Sequence, residues 1–186
     1  MDTLAMQVRG VDEPRREVTG IVAPYDETTY LIADPRGERL RRGCFAKSIR
    51  ERGSRVLLCV GHQRDTAAVG RAEAWEEGPD GLRGTFRIRD DQKGDEVLTD
   101  CREGYLPAMS VAFAPTRRTT GQDGVVEILE ARLHEVSLVA VGAYDGAQVL
   151  AVRSPAEVRA DLAHLLAPFQ NPPRVDLSPL PPIYPR

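Results

Sequence analysis

The chain is short of several things. Of its 186 residues only three are cysteine, Cys44, Cys59 and Cys101, and no Cys-x-x-Cys pair occurs. An odd, widely spaced set of thiols argues against a disulfide scaffold and predicts a reduced intracellular protein. Basic charge is not in excess: 25 Lys and Arg stand against 28 Asp and Glu, a formal net charge of -3. That removes the broad electrostatic attraction of a nucleic-acid binder, so no nucleic-acid partner is expected. No apolar run is long enough to cross a bilayer, so no membrane partner is expected either. Residues 1–6 carry no basic segment followed by an apolar one, and no secretory signal is read there. There is no Gly-x-Ser-x-Gly elbow, which counts against the usual serine-hydrolase fold. No internal repeat is visible.

What remains is ordinary for a soluble globular chain: 41% hydrophobic and 28% charged residues, at a length that suits one domain with appendages. Alternating Leu4, Met6 and Val8 suggest an opening strand. Strands are expected over 18–23, 38–42, 56–60, 67–75, 82–88, 108–114, 125–131, 133–141 and 149–152. Residues 24–37 read as loop. The Glu76-Glu77-Gly78-Pro79-Asp80-Gly81 stretch is a turn between two strands, and 116–124 reads as a polar loop. A short helix over 43–50 would bury Phe45 and Ile49, with Gly53 as its cap. A second over 91–103 carries Val97, Leu98 and Cys101 on one face, with early acidic residues suited to a helix start and Gly104 at its end. The capping box Ser154-Pro155-Ala156-Glu157 opens a third, running to about 166. After Pro168 the prolines preclude regular structure.

Many short strands and few helices predict a mainly β fold with some helix: a closed or nearly closed antiparallel β-barrel flanked by helices. The expected division is a barrel domain over 1–153, a C-terminal helix over 154–167 and a proline-rich tail over 168–186.

Three side chains stand out. In Ala108-Met109-Ser110-Val111-Ala112-Phe113, strand alternation sends the bulky Met109, Val111 and Phe113 one way. Ser110 goes the other way, among alanines, where a nucleophile would have a rigid support and open space above it. His62 follows the apolar run 56–60 beside Gly61, a strand-end position suited to a general base. In Leu133-His134-Glu135-Val136-Ser137, Glu135 and Ser137 share the less apolar face, where a carboxylate can orient an imidazole. Cys59 and His62 raise a thiol nucleophile or a metal site, but three residues apart on a strand end they make a poor dyad, and there is no second ligand pair nearby; no cofactor is expected. The cluster Arg36, Arg39, Arg41 and Arg42 reads as a solvated face, and Trp75 as packing.

Taken in order, these segments resemble a family. Its marks are Gly20-Ile21-Val22-Ala23-Pro24-Tyr25, Arg42-Gly43-Cys44-Phe45-Ala46-Lys47-Ser48-Ile49, and Val56-Leu57-Leu58-Cys59-Val60-Gly61-His62. Val69-Gly70, Gly81-Leu82, Met109-Ser110-Val111-Ala112-Phe113 and Glu135-Val136-Ser137-Leu138-Val139 complete the set. Over roughly residues 18–152 the chain resembles the prohead proteases of tailed phages, with a departure at Gly61-His62-Gln63 from the usual Asn-His-Asp. The resemblance implies the fold of the herpesvirus assemblins and a serine endopeptidase with His62 as base, Ser110 as nucleophile and Glu135 as orienting acid. Assemblins use a second histidine as third member, so His134 competes with Glu135. They draw oxyanion stabilisation from an arginine-bearing loop, for which Arg117 and Arg118 are the possible counterparts. The implied partners are the major capsid protein with its scaffolding segment, and a second copy in a homodimer. The implied place is the immature capsid in the host cytoplasm. The tail is read as a packaging tether or a self-cleaved segment. A non-catalytic capsid-assembly module with a degenerate site, and a hydrolase of small acyl substrates, are the other readings.

Overall fold

The computed structural model describes residues 15–31, 34–63 and 68–153. The strand expected at 4–10, the helix at 155–166 and the proline-rich tail lie outside the described residues.

Two helices accompany nine strands among the described residues. The chain runs β1 (Glu17–Pro24), β2 (Thr28–Leu31), β3 (Asp34–Leu40), α1 (Ala46–Arg52), β4 (Leu57–Val60), β5 (Gly70–Glu77) and β6 (Gly81–Ile88). Then come α2 (Gln92–Glu103), β7 (Ala108–Thr120), β8 (Val126–Val139) and β9 (Val149–Arg153). Local chemistry explains the ends of α2. Asp91 adopts an extended backbone and its carboxylate accepts from Gly94 N–H at 3.0 Å, satisfying one orphan donor of the first turn. Gly104 closes the helix in the left-handed region at φ 80, with its N–H on the Asp100 carbonyl. Gly53 is the C-cap of α1, as expected, with its N–H on the Ile49 carbonyl, but it stays right-handed at φ -53, and the chain continues into a short 3-10 turn over Gly53–Arg55.

β8 is the pivot of the sheet. Along its length it pairs antiparallel with β7, from Thr120↔Val126 to Ala108↔Val139. It also pairs parallel with β3 at Val126–Ile128 and with β4 at Val136–Leu138. Between those two parallel partners the α1 segment supplies the acceptors: Ala131 N–H donates to the Cys44 carbonyl at 2.8 Å, and Leu133 N–H to the Ser48 hydroxyl at 3.0 Å. The strand's backbone donors are thus satisfied where no strand neighbours them. The core gathers Phe45, Leu40, Leu58, Phe86, Met109, Leu133 and Leu138, all fully buried. Phe113 meets Phe45 edge-on at 5.5 Å, and Trp75 meets Phe86 at 5.6 Å, so Trp75 does serve packing.

Several expectations need correction. The strand order is β2-β3-β8-β4-β5-β6-β1-β9 with β7 on β8, and hydrogen bonds do not close this sheet into a barrel. Between β7 and β9 there is a single isolated bridge, Ala108↔Gln148. Pro107 accepts there from Val149 N–H at 2.8 Å but has no N–H of its own to extend the ladder. Residues 24–37 are not a loop but hold β2 and the start of β3, a hairpin. The polar stretch 116–120 continues β7 because β8 pairs with it, Arg118↔Ile128 and Thr119↔Glu127, not because a face is buried. The two strands expected over 125–141 are one. Arg39 is not merely solvated: it bonds Thr28, Asp123 and Glu127. Arg42 lies over the Tyr25 ring and donates to the Gly78 and Pro79 carbonyls, holding the β5–β6 turn.

Candidate active site

β4 ends at Val60, and the chain then turns through two left-handed residues, Gly61 at φ 58 and His62 at φ 61. A side chain in that region costs about 1–2 kcal/mol, so His62 must be held there. Three backbone donors hold it. Gly61 N–H reaches the Leu138 carbonyl at 3.0 Å, His62 N–H the Ser137 hydroxyl oxygen at 3.0 Å, and Gln63 N–H the Val60 carbonyl at 3.2 Å. Two of the three acceptors are on β8, so the parallel β4–β8 pairing decides where the imidazole stands.

The ring is half open to solvent, its side chain 42% exposed. Its Nδ1 lies 2.6 Å from Oε1 of Glu135, whose side chain is buried. An ionised carboxylate only accepts, so Nδ1 carries the hydrogen and the other ring nitrogen, Nε2, is left as the basic atom of the neutral ring. The second carboxylate oxygen, Oε2, accepts from the Ser137 hydroxyl at 2.8 Å. A buried charge is tolerable when hydrogen bonds satisfy it, and here both oxygens have donors.

Ser110 arrives from the other side of β8. It is 9% exposed and sits directly opposite Ser137 in the β7–β8 register, with Ala112 opposite Glu135. Residues facing each other across an antiparallel pair have Cβ atoms about 4.5–5.5 Å apart and point to the same face. Ser110, Ala112, Glu135 and Ser137 therefore form one small-residue patch around a single carboxylate. The next position anchors the strand: Met109 is fully buried, and its sulfur and terminal methyl come within 2.9 Å of where a Cβ on Gly20 would lie. Only glycine on β1 leaves that space.

The structure thus brings His62 to Glu135 and sets Ser110 on the adjoining strand. His134 takes a different position. The register steps from Ala112↔Glu135 to Phe113↔Leu133, which makes His134 the extra residue of a bulge, next to but not in the Glu135 pairing. Arg117 and Arg118 are remote. They stand seven and eight positions beyond Ser110 on β7, and an extended strand would carry them about 23 Å away, further than an arginine side chain spans. The turn after β8 comes closer: a Cβ on Gly142 would lie 3.3 Å from the Met109 carbonyl oxygen and 3.4 Å from the Ala108 Cβ. Ser137 is the site residue that sequence reasoning placed on the right face without assigning a task. A cleft of about 550 Å³ between α1 and the far halves of β7 and β8, lined by Lys47, Arg52, Thr116 and Arg132 among others, contains none of these residues.

Comparison with solved structures shows a likeness of fold. The bacteriophage T4 capsid assembly protease superposes with a TM-score of 0.50 at 18% identity, over 75% of this chain and 89% of that one. A weaker likeness runs to KSHV protease in complex with a hexapeptide phosphonate inhibitor, with a TM-score of 0.46 at 14% identity over 82% and 77% of the two chains. No curated protein sequence matches the chain. The Caudovirus prohead serine protease family matches residues 5–160, and the chain belongs to that family.

Proposed function

We propose that this chain is a serine endopeptidase of the immature phage capsid, with Ser110 as nucleophile, His62 as general base and Glu135 as the group that orients His62. The observation that carries the reading is the 2.6 Å contact between His62 Nδ1 and the buried Glu135, beside a strand that carries Ser110. Ser110 Oγ attacks the scissile carbonyl carbon while Nε2 of His62 removes its hydrogen. The imidazolium that forms is stabilised by Glu135 and returns the proton to the leaving amine. Water then repeats the sequence on the acyl-enzyme. Its substrates are the scaffolding segment of the major capsid protein and the protease itself. Enclosure in the shell raises the local concentration of both, so modest intrinsic efficiency suffices.

The test is co-expression with the major capsid protein, followed by mass spectrometry of that protein. Truncation by the wild type and none by Ser110→Ala is the expected result, since loss of a triad nucleophile costs on the order of 10⁶ in turnover. Processing that survives Ser110→Ala, under conditions where no other protease is present, would leave a non-catalytic assembly module.

A further inference from the structure

Ser137 is fully buried, yet both capacities of its hydroxyl are used within the site. It donates to Glu135 Oε2 at 2.8 Å and accepts from the His62 backbone N–H at 3.0 Å. The residue stands on the most heavily paired strand of the sheet, opposite Ser110 on β7 and opposite Cys59 on β4. One oxygen atom therefore touches both members of the His62–Glu135 pair: the carboxylate through its free oxygen, and the histidine through a left-handed backbone that needs holding.

We infer that Ser137 is a positioning residue for the reaction: its hydroxyl fixes the His62–Glu135 pair relative to Ser110. This rests on the reading of Ser110 and His62 given above. Ser137 is not a second nucleophile, because its hydroxyl hydrogen is committed to Glu135 and no part of the residue is accessible. Without the hydroxyl, the carboxylate loses one of its two donors and can rotate, and the His62 turn loses one of the two bonds that tie it to β8. Misplacement of a catalytic base by about 1 Å can cost on the order of 10²-fold in rate.

Labelling of the full chain by an alkyl fluorophosphonate tests this without a known cleavage sequence. Ser110 Oγ forms a bond to phosphorus, the phosphorus–fluorine bond breaks, fluoride leaves, and His62 takes the hydroxyl proton. Ser137→Thr and Ser137→Val have the same shape, and only the first keeps a hydroxyl. The limiting rate of labelling in Ser137→Val should be about 10²-fold below that of Ser137→Thr, with the half-saturating probe concentration unchanged. Amide exchange at His62 should lose protection in the valine form alone, while Gly61, bonded to the Leu138 carbonyl, stays protected in both. Equal limiting rates in the two variants, whether high or low, overturn the inference. Ser110→Ala runs alongside: labelling that survives it overturns the underlying reading instead, so the two failures are separate.

Discussion

Replacing Glu135 with glutamine tests the site most sharply, because the amide cannot satisfy both of the carboxylate's partners. In the native arrangement both oxygens accept, one from His62 Nδ1–H at 2.6 Å and one from the Ser137 hydroxyl at 2.8 Å. Glutamine offers one oxygen and one NH2 group. If its oxygen faces Ser137, the NH2 faces Nδ1 and forces the ring into the tautomer with hydrogen on Nε2, which cannot accept the Ser110 proton. If its oxygen faces Nδ1, the NH2 faces a hydroxyl that already accepts from His62 N–H and must find another acceptor for its own hydrogen. The first arrangement keeps the Ser137 bond. A wrong-tautomer triad loses about 10⁴ in rate, about 5.5 kcal/mol of barrier. Fluorophosphonate labelling of Glu135→Gln should show that loss. The orientation of the amide also decides how Ser137→Ala combines with this change. Alone, that change should cost about 10²-fold; together, independent effects would multiply to about 10⁶. With Ser137 gone nothing forces the amide the wrong way round, so the double variant should label no more slowly than Glu135→Gln. Rates that multiply, or a Glu135→Gln loss below tenfold, would refute the reasoning.

The remaining predictions touch the rest of the molecule. Burial pushes the Cys44 and Cys101 thiols up from their ordinary 9.0 to about 12. Both should resist a disulfide reagent at pH 8 in the folded chain and react on unfolding in urea. Unfolded thiols ionise first as pH rises, so this contribution to stability is complete below pH 9 and is lost between about pH 9 and 12. A urea midpoint that does not fall across that window would contradict it. Gly104→Ala has open space around its new methyl but a φ of 80, so it should cost about 1–2 kcal/mol by urea unfolding. Gly20→Ala runs into the Gln148 carbonyl oxygen and the Met109 side chain, and should cost more, at or above the 1–3 kcal/mol typical of overpacking. The reverse order would contradict the packing described. Arg117→Ala with Arg118→Ala should leave fluorophosphonate labelling within about twofold, given their distance along β7. A tenfold fall would restore them as oxyanion donors.

Local pattern was enough for several parts of this protein. The alternation around Ser110 and Glu135, the Asp91 and Gly104 ends of α2, and the turn that presents His62 all depend on a few neighbouring residues, whose sterics and hydrogen bonds act at short range. Pairing decided what alternation left open. The contact of His62 with Glu135 spans 73 positions, and Ser137 becomes part of the site only because the parallel β4–β8 ladder lays the His62 turn beside it. The same holds for β7 beyond Pro115, which is a strand because β8 lies next to it, and for the sheet that stops short of closing at Pro107. Strand pairing is a choice of partner and register among distant edges, and hydrogen-bonding groups are the same on every residue but proline. Only the folded chain, which must satisfy all of those edges at once, makes the choice.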